Sequence, residues 1–578
     1  MPKSYKQGSI QGLTTDVAIV GAGVSGLYSG WRLLSGYFKE TPDYRTSNPS
    51  VSIFDMSNRI GGRLFSIKNY PGLDGVVGEL GGMRFMEHQK IANSLINKVL
   101  KLTVLDFPMG DKNKNLIYLR GQRFHESDYG KSGFKTNYNL DNKWQGKHPD
   151  EIFTAIVNDV LIKNGYSTGA RNRKEWDEIK SILSYYQGPD KGQTLENIGF
   201  WNLINDQVGN EGYNFISDAG AYFSNTINWN SAEAMPYMMG DFVGDVKYKT
   251  IEGGFDMIAE GLAKLFSEAG GTIYNSKQLL NFSHNDLNSF KYKLLIRDTK
   301  DNDEYEIYCN SLILAMPRRA LELINDHNFL FKGGEDIELK KNIRSVIGEP
   351  SFKLLMAFDN GKNRLPWWKS ELDIDEGRSI TDLPMRQCYY FGAAKDRNAS
   401  LLLASYNDMR TVDFWKPLEL PDQGMSYKKN SVHFKKMIDN NSFVPKATSF
   451  VTKEELEKVS KFYKQAPKRM VDHSLFQLKE LHGVENIPDP FTTMYENWSD
   501  DPYGGGYHAW KARYDVGSVM SYMRRPMKTE NVHICGEAYS DQQGWIEGAF
   551  CVAERMLQQE FAMCKPSEWL DDDYYLGR

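Results

Sequence analysis

Residues 16–30 read DVAIVGAGVSGLYSG, and this stretch decides the fold. Its β-branched run over 17–20 is long enough for one buried strand. Gly21, Gly23 and Gly26 then give the spacing G-x-G-x-x-G, and the apolar residues behind them recur with helical periodicity. In such a strand–turn–helix unit the first glycine allows the turn, the second lets backbone approach a pyrophosphate, and the third allows close packing. The stretch therefore predicts a dinucleotide-binding unit with phosphate at the helix N-terminus.

A second strand supports this prediction. Glycine makes up 50 of the 578 residues, so the spacing alone leaves a chance cluster open. Residues 51–55 read VSIFD, a strand that ends in Asp55, and this acid is able to accept hydrogen bonds from ribose hydroxyls. Residues 36–50 are rich in Thr, Ser, Asn and Pro and predict an inserted loop. Residues 59–63 read RIGGR, which suits a charge-assisted clamp on a diphosphate.

With these motifs the chain resembles the FAD-dependent amine oxidase family, whose second strand runs into an acid followed by R-x-G-G-R. The resemblance extends over nearly the whole chain. It implies FAD as the cofactor, bound through Gly21, Gly23, Gly26, Asp55 and Arg63. The implied fold class is α/β, with a discontinuous Rossmann-like FAD-binding domain, an α+β substrate-binding domain and a helical insertion.

Domain boundaries follow from the same resemblance, and a chain of 578 residues exceeds a single core. We assign residues 1–75, 248–335 and 500–578 to the FAD-binding domain, 76–138 and 336–499 to the substrate-binding domain, and 139–247 to the helical insertion. Periodicity predicts helices over 91–105, 149–161, 174–186 and 453–463, and a hairpin around Gly121 over 118–124.

Composition limits the partners. With 70 basic and 75 acidic residues the net charge is −5, which argues against nucleic acid or an anionic membrane as the main partner. The sequence has no apolar run long enough to span a bilayer and no leader-like start. We expect a cytoplasmic protein, or a secreted one if a leader has been removed. The five cysteines are scattered, which favours reduced core cysteines and no metal site.

The discriminating residue is Arg84, in the stretch ELGGMRF over 79–85. In the family this segment runs under the flavin ring, which implies cofactor contacts for Gly82, Met83 and Arg84. In the L-amino-acid oxidase branch an arginine after small-small-Met binds the substrate α-carboxylate, for which plain amine oxidases have no need. The planar fork of a guanidinium matches a carboxylate. The alternative is an ordinary surface arginine.

Two further catalytic residues come from strand-like runs. Lys353 stands among apolar residues in SFKLLMAF, and the family holds a lysine there through a water to flavin N5, where it assists the reaction with O₂. The alternative is a lysine on the solvent-exposed face of a strand.

Residues 379–390 resemble the T-D-L-P-x-R-x-x-Y-Y stretch of the amino-acid oxidases. The resemblance implies that Tyr406, in a later strand, is the second donor to the substrate carboxylate. Tyr389 and Tyr390 are predicted to be structural.

The sequence indicates the residues that form the walls of the substrate pocket less clearly. Met239 and Phe242 occupy a position that the family uses as pocket wall, although an apolar core cluster fits equally well. Some relatives carry a proposed histidine base in this region, but this chain has no histidine between His148 and His284. Asp241 and Asp245 would suit a basic substrate and the nearby aromatic residues an apolar one, so the side-chain preference stays open.

The resemblance also places the two ends of the cofactor. It implies that backbone near Gln278 contacts adenine, that Trp498 faces the flavin, and that Gly536 and Glu537 contact its ribityl and diphosphate end. Gly544, Trp545 and Ile546 open a helix aimed at flavin N1 and C2=O, with the Gly544 carbonyl accepting from the substrate amine. His508 is a weak alternative base and otherwise a packed or surface histidine.

The expected activity is that of an L-amino-acid oxidase, which converts an L-amino acid and O₂ to a 2-oxo acid, ammonia and H₂O₂. Arg84, Tyr406, Lys353 and Trp545 form the predicted catalytic set, and Gly544, Met239 and Phe242 complete the substrate contacts. An amino-acid 2-monooxygenase, a polyamine or monoamine oxidase, and a non-catalytic flavoprotein remain alternatives. We also expect a homodimer or a higher homo-oligomer.

Overall fold

The computed structural model describes residues 10–36, 38, 49–244, 246–331, 337–419 and 443–578. The strands of this part of the chain are β1 (Thr14–Val20), β2 (Val51–Asp55), β3 (Ser66–Ile67), β4 (Gly78–Glu79), β5 (Val104–Asp106), β6 (Leu116–Leu119), β7 (Gln122–His125), β8 (Lys249–Ile251), β9 (Thr272–Asn275), β10 (Lys277–His284), β11 (Tyr292–Asp298), β12 (Glu304–Leu314), β13 (Val346–Glu349), β14 (Ser351–Asp359), β15 (Gly377–Thr381), β16 (Gln387–Ala393), β17 (Ala399–Asp408), β18 (Thr492–Asn497), β19 (Tyr507–Trp510) and β20 (Val532–Ile534).

The α-helices of the same ranges are α1 (Val24–Ser35), α2 (Lys90–Ser94), α3 (Pro149–Lys163), α4 (Arg173–Ile179), α5 (Phe200–Ala219), α6 (Ser231–Asp241), α7 (Met257–Glu268), α8 (Arg318–Glu322), α9 (Glu338–Ile343), α10 (Trp367–Leu372), α11 (Val412–Trp415), α12 (Lys453–Ser460), α13 (Lys468–His482), α14 (Val516–Arg524) and α15 (Ile546–Glu560). A π-helical turn, Leu95–Val99, continues α2.

The first sheet is mainly parallel. Its strands β20, β12, β1, β2 and β9 run in the same direction, and β10 and β11 add an antiparallel hairpin to the first half of β12. β1 and β2 are apolar on both faces because helices cover the sheet. Residues of α1, α7 and α15 pack together on one of these faces. This sheet contains β1 and β2, the two strands predicted from residues 17–20 and 51–55.

The glycine turn joins β1 to α1 as predicted, although β1 begins three residues earlier, at Thr14. Gly21 has φ +111°, a conformation that residues with a side chain rarely adopt. A Cβ on Gly26 would clash with the backbone oxygen of Gly21, so only glycine allows the helix to approach the turn so closely. The roles expected for the first and third glycines are therefore confirmed.

The second sheet has the order β18-β14-β17-β16-β15-β6-β7 and is antiparallel except for the β15–β6 pair. It carries apolar clusters on both faces. One cluster includes Leu355 and Leu401 together with Met83 and Trp545, so this face is directed toward the glycine-rich segments. The hairpin predicted over 118–124 is formed by β6 and β7, with Arg120 and Gly121 both at positive φ.

The region predicted to be a helical insertion contains α3, α4, α5 and α6. The helix expected over 174–186 ends at Ile179, because the backbone of Leu183 and Tyr185 hydrogen-bonds to Leu195 and Gln193 instead. No helix in the described ranges is long and apolar enough to cross a bilayer.

Two other predicted helices were too long. The helix over 91–105 leaves the helical path near Lys101, which has φ +52°, and the chain continues as β5, paired with β8. The helix over 453–463 ends at Ser460. Pairing with distant segments therefore ended helices that local periodicity would have continued.

Candidate active site

A cavity of about 450 Å³ lies at the edge where the parallel strands of the first sheet end. The carboxyl ends of such strands form the usual ligand crevice of an open α/β sheet. The predicted cofactor contacts that line this cavity are Gly21, Gly23, Asp55, Arg63, Gly82, Gln278, Gly536, Glu537, Gly544, Trp545 and Ile546. Residues from five separate parts of the sequence are thus brought together.

Bare backbone forms the floor of this cavity. A Cβ on Gly62 would lie 3.3 Å from the Cα of Gly23, so the two glycine loops face each other closely. Gly23 is the N-cap of α1 and makes no side-chain cap, which leaves the first N–H groups of the helix available. Such a terminus binds phosphate through N–H groups and the helix dipole. These residues fit the diphosphate of FAD.

Asp55 links the second strand to the glycine turn. Its Oδ2 accepts from the backbone N–H of Ala22 at 2.6 Å and its Oδ1 accepts from that of Ser57 at 2.8 Å. Burial raises the pKa of this carboxyl, and the two backbone donors oppose that shift. A carboxylate has about four acceptor sites, so those remaining suit the ribose hydroxyls predicted for it.

Glu537 is the most highly connected acid of the site. Its Oε1 accepts from the backbone N–H groups of His508 (2.9 Å) and Gly544 (2.8 Å), and its Oε2 contacts Arg63 Nη1 at 2.9 Å. Although burial opposes ionisation, Arg63 and His508 lower the pKa of Glu537 to about 2. The carboxylate therefore ties the arginine of the R-x-G-G-R motif to the start of α15.

His508 is packed inside this arrangement. Its Nδ1 lies 2.9 Å from Glu537 Oε2, and burial lowers the pKa of its imidazole. The geometry fits the prediction of a packed histidine.

Four predicted cofactor residues, Gly26, Met83, Arg84 and Trp498, do not line the cavity, and the cofactor contact of Arg84 stays a prediction. Trp498 donates from Nε1 to the Leu80 carbonyl at 2.8 Å, and its neighbour Tyr503 lines the cavity in its place. The thioether of Met83 lies 3.5 Å from Lys353 Nζ, and Gly26 packs within the turn. The cofactor contacts of Trp498 and Met83 stay predictions.

Lys353 points inward from β14 and is 2% exposed, so the alternative of a solvent-exposed lysine is wrong. Its Nζ donates to the backbone carbonyls of Gly81 (2.6 Å) and Glu79 (3.2 Å). Burial lowers the pKa of the Lys353 amine to about 7, against the opposing charge of Glu79. The ammonium is therefore poised to change its charge near neutral pH.

Arg84 is also buried, at 7% exposure, so it is not a surface arginine. Its Nη2 donates to the Tyr222 hydroxyl at 3.5 Å, and its Cζ lies 4.0 Å from the centroid of Tyr248. In the part of the chain that the structure covers, Arg84 makes no ion pair within 4.0 Å. A buried cation without a carboxylate partner is costly unless a ligand supplies the negative charge.

Aromatic rings connect Arg84 to the start of α15. Tyr248 stacks on Trp545 with ring centroids 6.3 Å apart and an interplanar angle of 16°. Phe242 lies 6.2 Å from Trp545, and Tyr406 lies 5.3 Å from Tyr222. We call Tyr222, Phe242, Tyr248, Tyr406 and Trp545 the aromatic wall.

Behind the wall lies a second cavity of about 400 Å³, between the helical region and the second sheet. Its lining includes Tyr222, Phe242, Tyr248 and Arg378. Met239 does not line it and packs with the helical core, so for this residue the core alternative fits better.

Asp241 and Asp245 are the two acids that would suit a basic substrate. Asp241 faces His88 Nε2 at 3.7 Å, so it already has a partner of its own. Asp245 lies outside the described residues.

A buried acidic network was not predicted. Glu349 in β13 pairs with Tyr507 in β19, and Tyr507 lines the first cavity. Ser224 Oγ hydrogen-bonds to Asp408 and to the Tyr507 hydroxyl. Burial raises the pKa of both Glu349 and Asp408. These residues come from four distant segments, and only the aromatic and glycine-rich run around Tyr507 gave any signal in the sequence.

Residues 24–426 match the model of the family described as flavin containing amine oxidoreductase. The chain is 26% identical to aplysianin-A of Aplysia kurodai, over 95% of this chain and 90% of that protein. It is 23% identical to achacin of Lissachatina fulica, over 95% and 93% of the two chains. It is 25% identical to an L-amino-acid oxidase of Mus musculus, over 71% of this chain and 55% of that protein.

A putrescine oxidase structure with redesigned cofactor binding has a TM-score of 0.59 and 15% identity, over 95% of this chain and 99% of that one. This likeness shows the fold alone.

Proposed function

The chain belongs to the flavin-containing amine oxidoreductase family, and we propose that it catalyses the oxidative deamination of L-amino acids. The amino acid loses a hydride and a proton to give an imino acid and reduced FAD; water hydrolyses the imino acid to a 2-oxo acid and ammonia, and O₂ takes the two electrons to give H₂O₂. The observation that carries this proposal is the buried guanidinium of Arg84, which has no carboxylate partner among the described residues and lies beside the aromatic wall. The relatives named L-amino-acid oxidase and the family match support the same activity.

We infer that the parallel strands with α1, α7 and α15 form the Rossmann-like FAD-binding domain. All of its strands fall within residues 1–75, 248–335 and 500–578. The second sheet falls within 76–138 and 336–499, assigned to substrate binding, and α3 to α6 fall within the insertion assigned to 139–247. We keep these boundaries as the domain proposal.

FAD, when bound, supplies the hydride acceptor. The glycine loops and the N-terminus of α1 would hold its diphosphate, with Asp55 at the ribose and Gln278 toward the adenine. Glu537 fixes Arg63 and the backbone of Gly544, so the start of α15 is held rigidly at the cavity. The dipole of α15 favours negative charge at that end.

Arg84 and Tyr406 bind the substrate carboxylate in this proposal. Burial raises the pKa of the Tyr406 phenol, so the phenol keeps its proton and donates a hydrogen bond. The guanidinium adds a charge-assisted pair of donors. A substrate held at the carboxylate is fixed in orientation, which removes much of the entropic cost of reaching a reactive geometry.

The remaining residues act on the amine and on water. The Gly544 carbonyl accepts one amine hydrogen, and the aromatic wall excludes water around the reacting carbon. The amine reacts in its deprotonated form, so the chemistry does not require a histidine in the segment where the family has one. Lys353 places a cation close to the carbonyls of Gly81 and Glu79, where it stabilises negative charge that develops on oxygen.

Product analysis tests this function. Incubation of the holoenzyme with L-amino acids and O₂ should give H₂O₂, ammonia and 2-oxo acid in equal amounts. Formation of an amide and CO₂ would instead identify an amino-acid 2-monooxygenase and contradict the proposal.

A further inference from the structure

The second cavity is lined by one guanidinium, that of Arg378 in β15, and Tyr222 and Tyr248, which contact Arg84, line the same cavity. We propose that the enzyme acts on dicarboxylic L-amino acids, with Arg378 binding the side-chain carboxylate while Arg84 binds the α-carboxylate. This inference rests on the proposed function and adds its substrate class. It depends on three observations. These are the positions of the two arginines, the lack of an acidic partner for either one among the described residues, and the contacts that the acids lining the cavity already make.

Arg378 is partly accessible from the cavity that it lines. It stands directly opposite Tyr389 in the β15–β16 pair. The Tyr389 hydroxyl lies 3.5 Å from the hydroxyl of Tyr222, which accepts from Arg84 Nη2 at 3.5 Å. The hydroxyls of Tyr222 and Tyr389 therefore connect the surroundings of the two guanidiniums, which the two carboxylates of the proposed substrate would occupy.

Both cations act on the same phenol. Although burial opposes ionisation, Arg84 and Arg378 together lower the pKa of Tyr389. Both guanidiniums therefore lie near the Tyr389 phenol, and Tyr222, Phe242 and Tyr248 of the aromatic wall line the second cavity.

Neither arginine has an acidic partner. Within the described ranges, no carboxylate oxygen lies within the 4.0 Å ion-pair distance of Arg84 or Arg378. Two other buried arginines of the described residues do have acidic partners: Arg32 pairs with Glu554 at 3.0 Å, and Arg386 lies 3.6 Å from Asp218. Two such cations without anions are unfavourable in a cavity unless a ligand supplies two negative charges.

The acids on the cavity already have structural partners. Glu126 accepts from Asn115 Nδ2 at 2.9 Å and lies 4.0 Å from His148 Nε2. Asp150 accepts from the backbone N–H of Gly244 at 3.2 Å.

Glu151, on the same cavity, pairs with Lys147 at 3.3 Å and accepts from the His148 backbone. These acids cap α3 and fix neighbouring loops, so a cationic substrate side chain would have to displace existing contacts. Glu126 acts on Arg378 through space and raises the pKa of its guanidinium.

Substrate profiles of three holoenzymes test the inference: wild type, Arg378→Gln and the matched control Arg297→Gln. Arg297 is also a strand arginine, but it pairs with Glu304 and lines neither cavity. We expect wild type to use L-glutamate or L-aspartate at least about tenfold better than its amide, since a charge-assisted pair is lost in the amide. Arg378→Gln should lower kcat/KM for the dicarboxylic substrate by roughly tenfold to a hundredfold and leave L-glutamine within about threefold.

Other outcomes are equally informative. A wild type that prefers L-lysine, L-leucine or L-glutamine, or an Arg378→Gln variant with an unchanged acid-to-amide ratio, would overturn the inference and leave the proposed function standing. A wild type that oxidises no L-amino acid would overturn both. If Arg378→Gln does not fold, the question is decided by the binding of glutarate and of pentanoate to wild type. The change in the flavin spectrum measures this binding. Glutarate should bind more tightly, and equal binding would contradict the inference.

Discussion

The guanidinium carbon of Arg84 lies 4.0 Å from the ring centroid of Tyr248, whose ring is stacked on Trp545. The residue proposed to bind the carboxylate is therefore one ring away from the residue that opens α15 at the flavin-side cavity. In the proposed function, this arrangement would hold the substrate carboxylate and the amine on either side of the reacting carbon.

Replacing Arg84 with glutamine should lower kcat/KM for L-amino acids by roughly tenfold to a hundredfold, because a charge-assisted hydrogen bond to the carboxylate is lost. The FAD content should stay unchanged, since Arg84 does not line the first cavity. Arg120→Gln is the control. Arg120 also lies over a tyrosine ring, 3.9 Å from the centroid of Tyr138, but it stands at the surface and away from the site. Unchanged kinetics in Arg84→Gln would remove the carboxylate assignment.

Replacing Lys353 with methionine should slow the reaction of substrate-reduced enzyme with O₂ by on the order of a hundredfold, because a buried cation that stabilises charge on oxygen is lost. With an amine pKa of about 7, the wild-type rate constant should fall as the pH rises through neutrality, since the ammonium form is lost. Stopped-flow mixing with O₂ measures both effects.

Lys293→Met serves as the control for this prediction, because Lys293 is a strand lysine paired with Glu306 at 2.8 Å. If Lys353→Met kept the wild-type rate and pH dependence, Lys353 would have no role in the O₂ reaction.

The Glu537 carboxylate should make stability depend on pH in the acid range. Its pKa is lowered from the ordinary 4.5 to about 2, so between these values the unfolded chain binds more protons than the folded one. Its contribution, on the order of 3 kcal/mol, is complete above pH 4.5 and is lost as the pH falls toward 2. Urea unfolding of wild type and Glu537→Gln from pH 6 to pH 3 measures it, and the difference between them should shrink. A constant difference would be inconsistent with an ionised, paired Glu537.

Replacing Gly23 with alanine should weaken FAD binding while the protein still folds. The nearest atom to the added Cβ is the Gly62 Cα at 4.0 Å, so the protein accepts the methyl group, which then occupies the place of the diphosphate. Gly240→Ala is the control, since its Cβ would meet no atom within 4 Å. Circular dichroism should match wild type for both variants, with FAD lost on gel filtration from Gly23→Ala only. Full retention of FAD by Gly23→Ala would place the diphosphate elsewhere.

Local signals in the sequence predicted much of the fold. The glycine turn, the strand ending in Asp55 and the β6–β7 hairpin each depend on conformations that only certain residues adopt, so a short stretch decides them. The helices over 91–105 and 174–186 were too long because β5 pairs with β8, and Leu183 with Leu195, far along the chain. Periodicity cannot detect such pairings.

Residues of the site were predicted only where they belong to a recognisable sequence motif. Lys353 was expected to point inward because the family holds a lysine at this place, since the apolar residues around it in sequence left an outward lysine possible, and it is 2% exposed. Glu349 and Arg378 belong to no motif that we recognised, and their surroundings exist only after distant strands pair. The expected homo-oligomer stays a prediction.

The most direct test of the central claim is an anaerobic titration of the yellow holoenzyme with pairs of compounds, each an L-amino acid and the amine formed by its decarboxylation. If Arg84 selects substrates by their carboxylate, the visible flavin absorbance should bleach with the L-amino acid of at least one pair and stay unchanged with its amine. Equal bleaching by the amine would contradict the account.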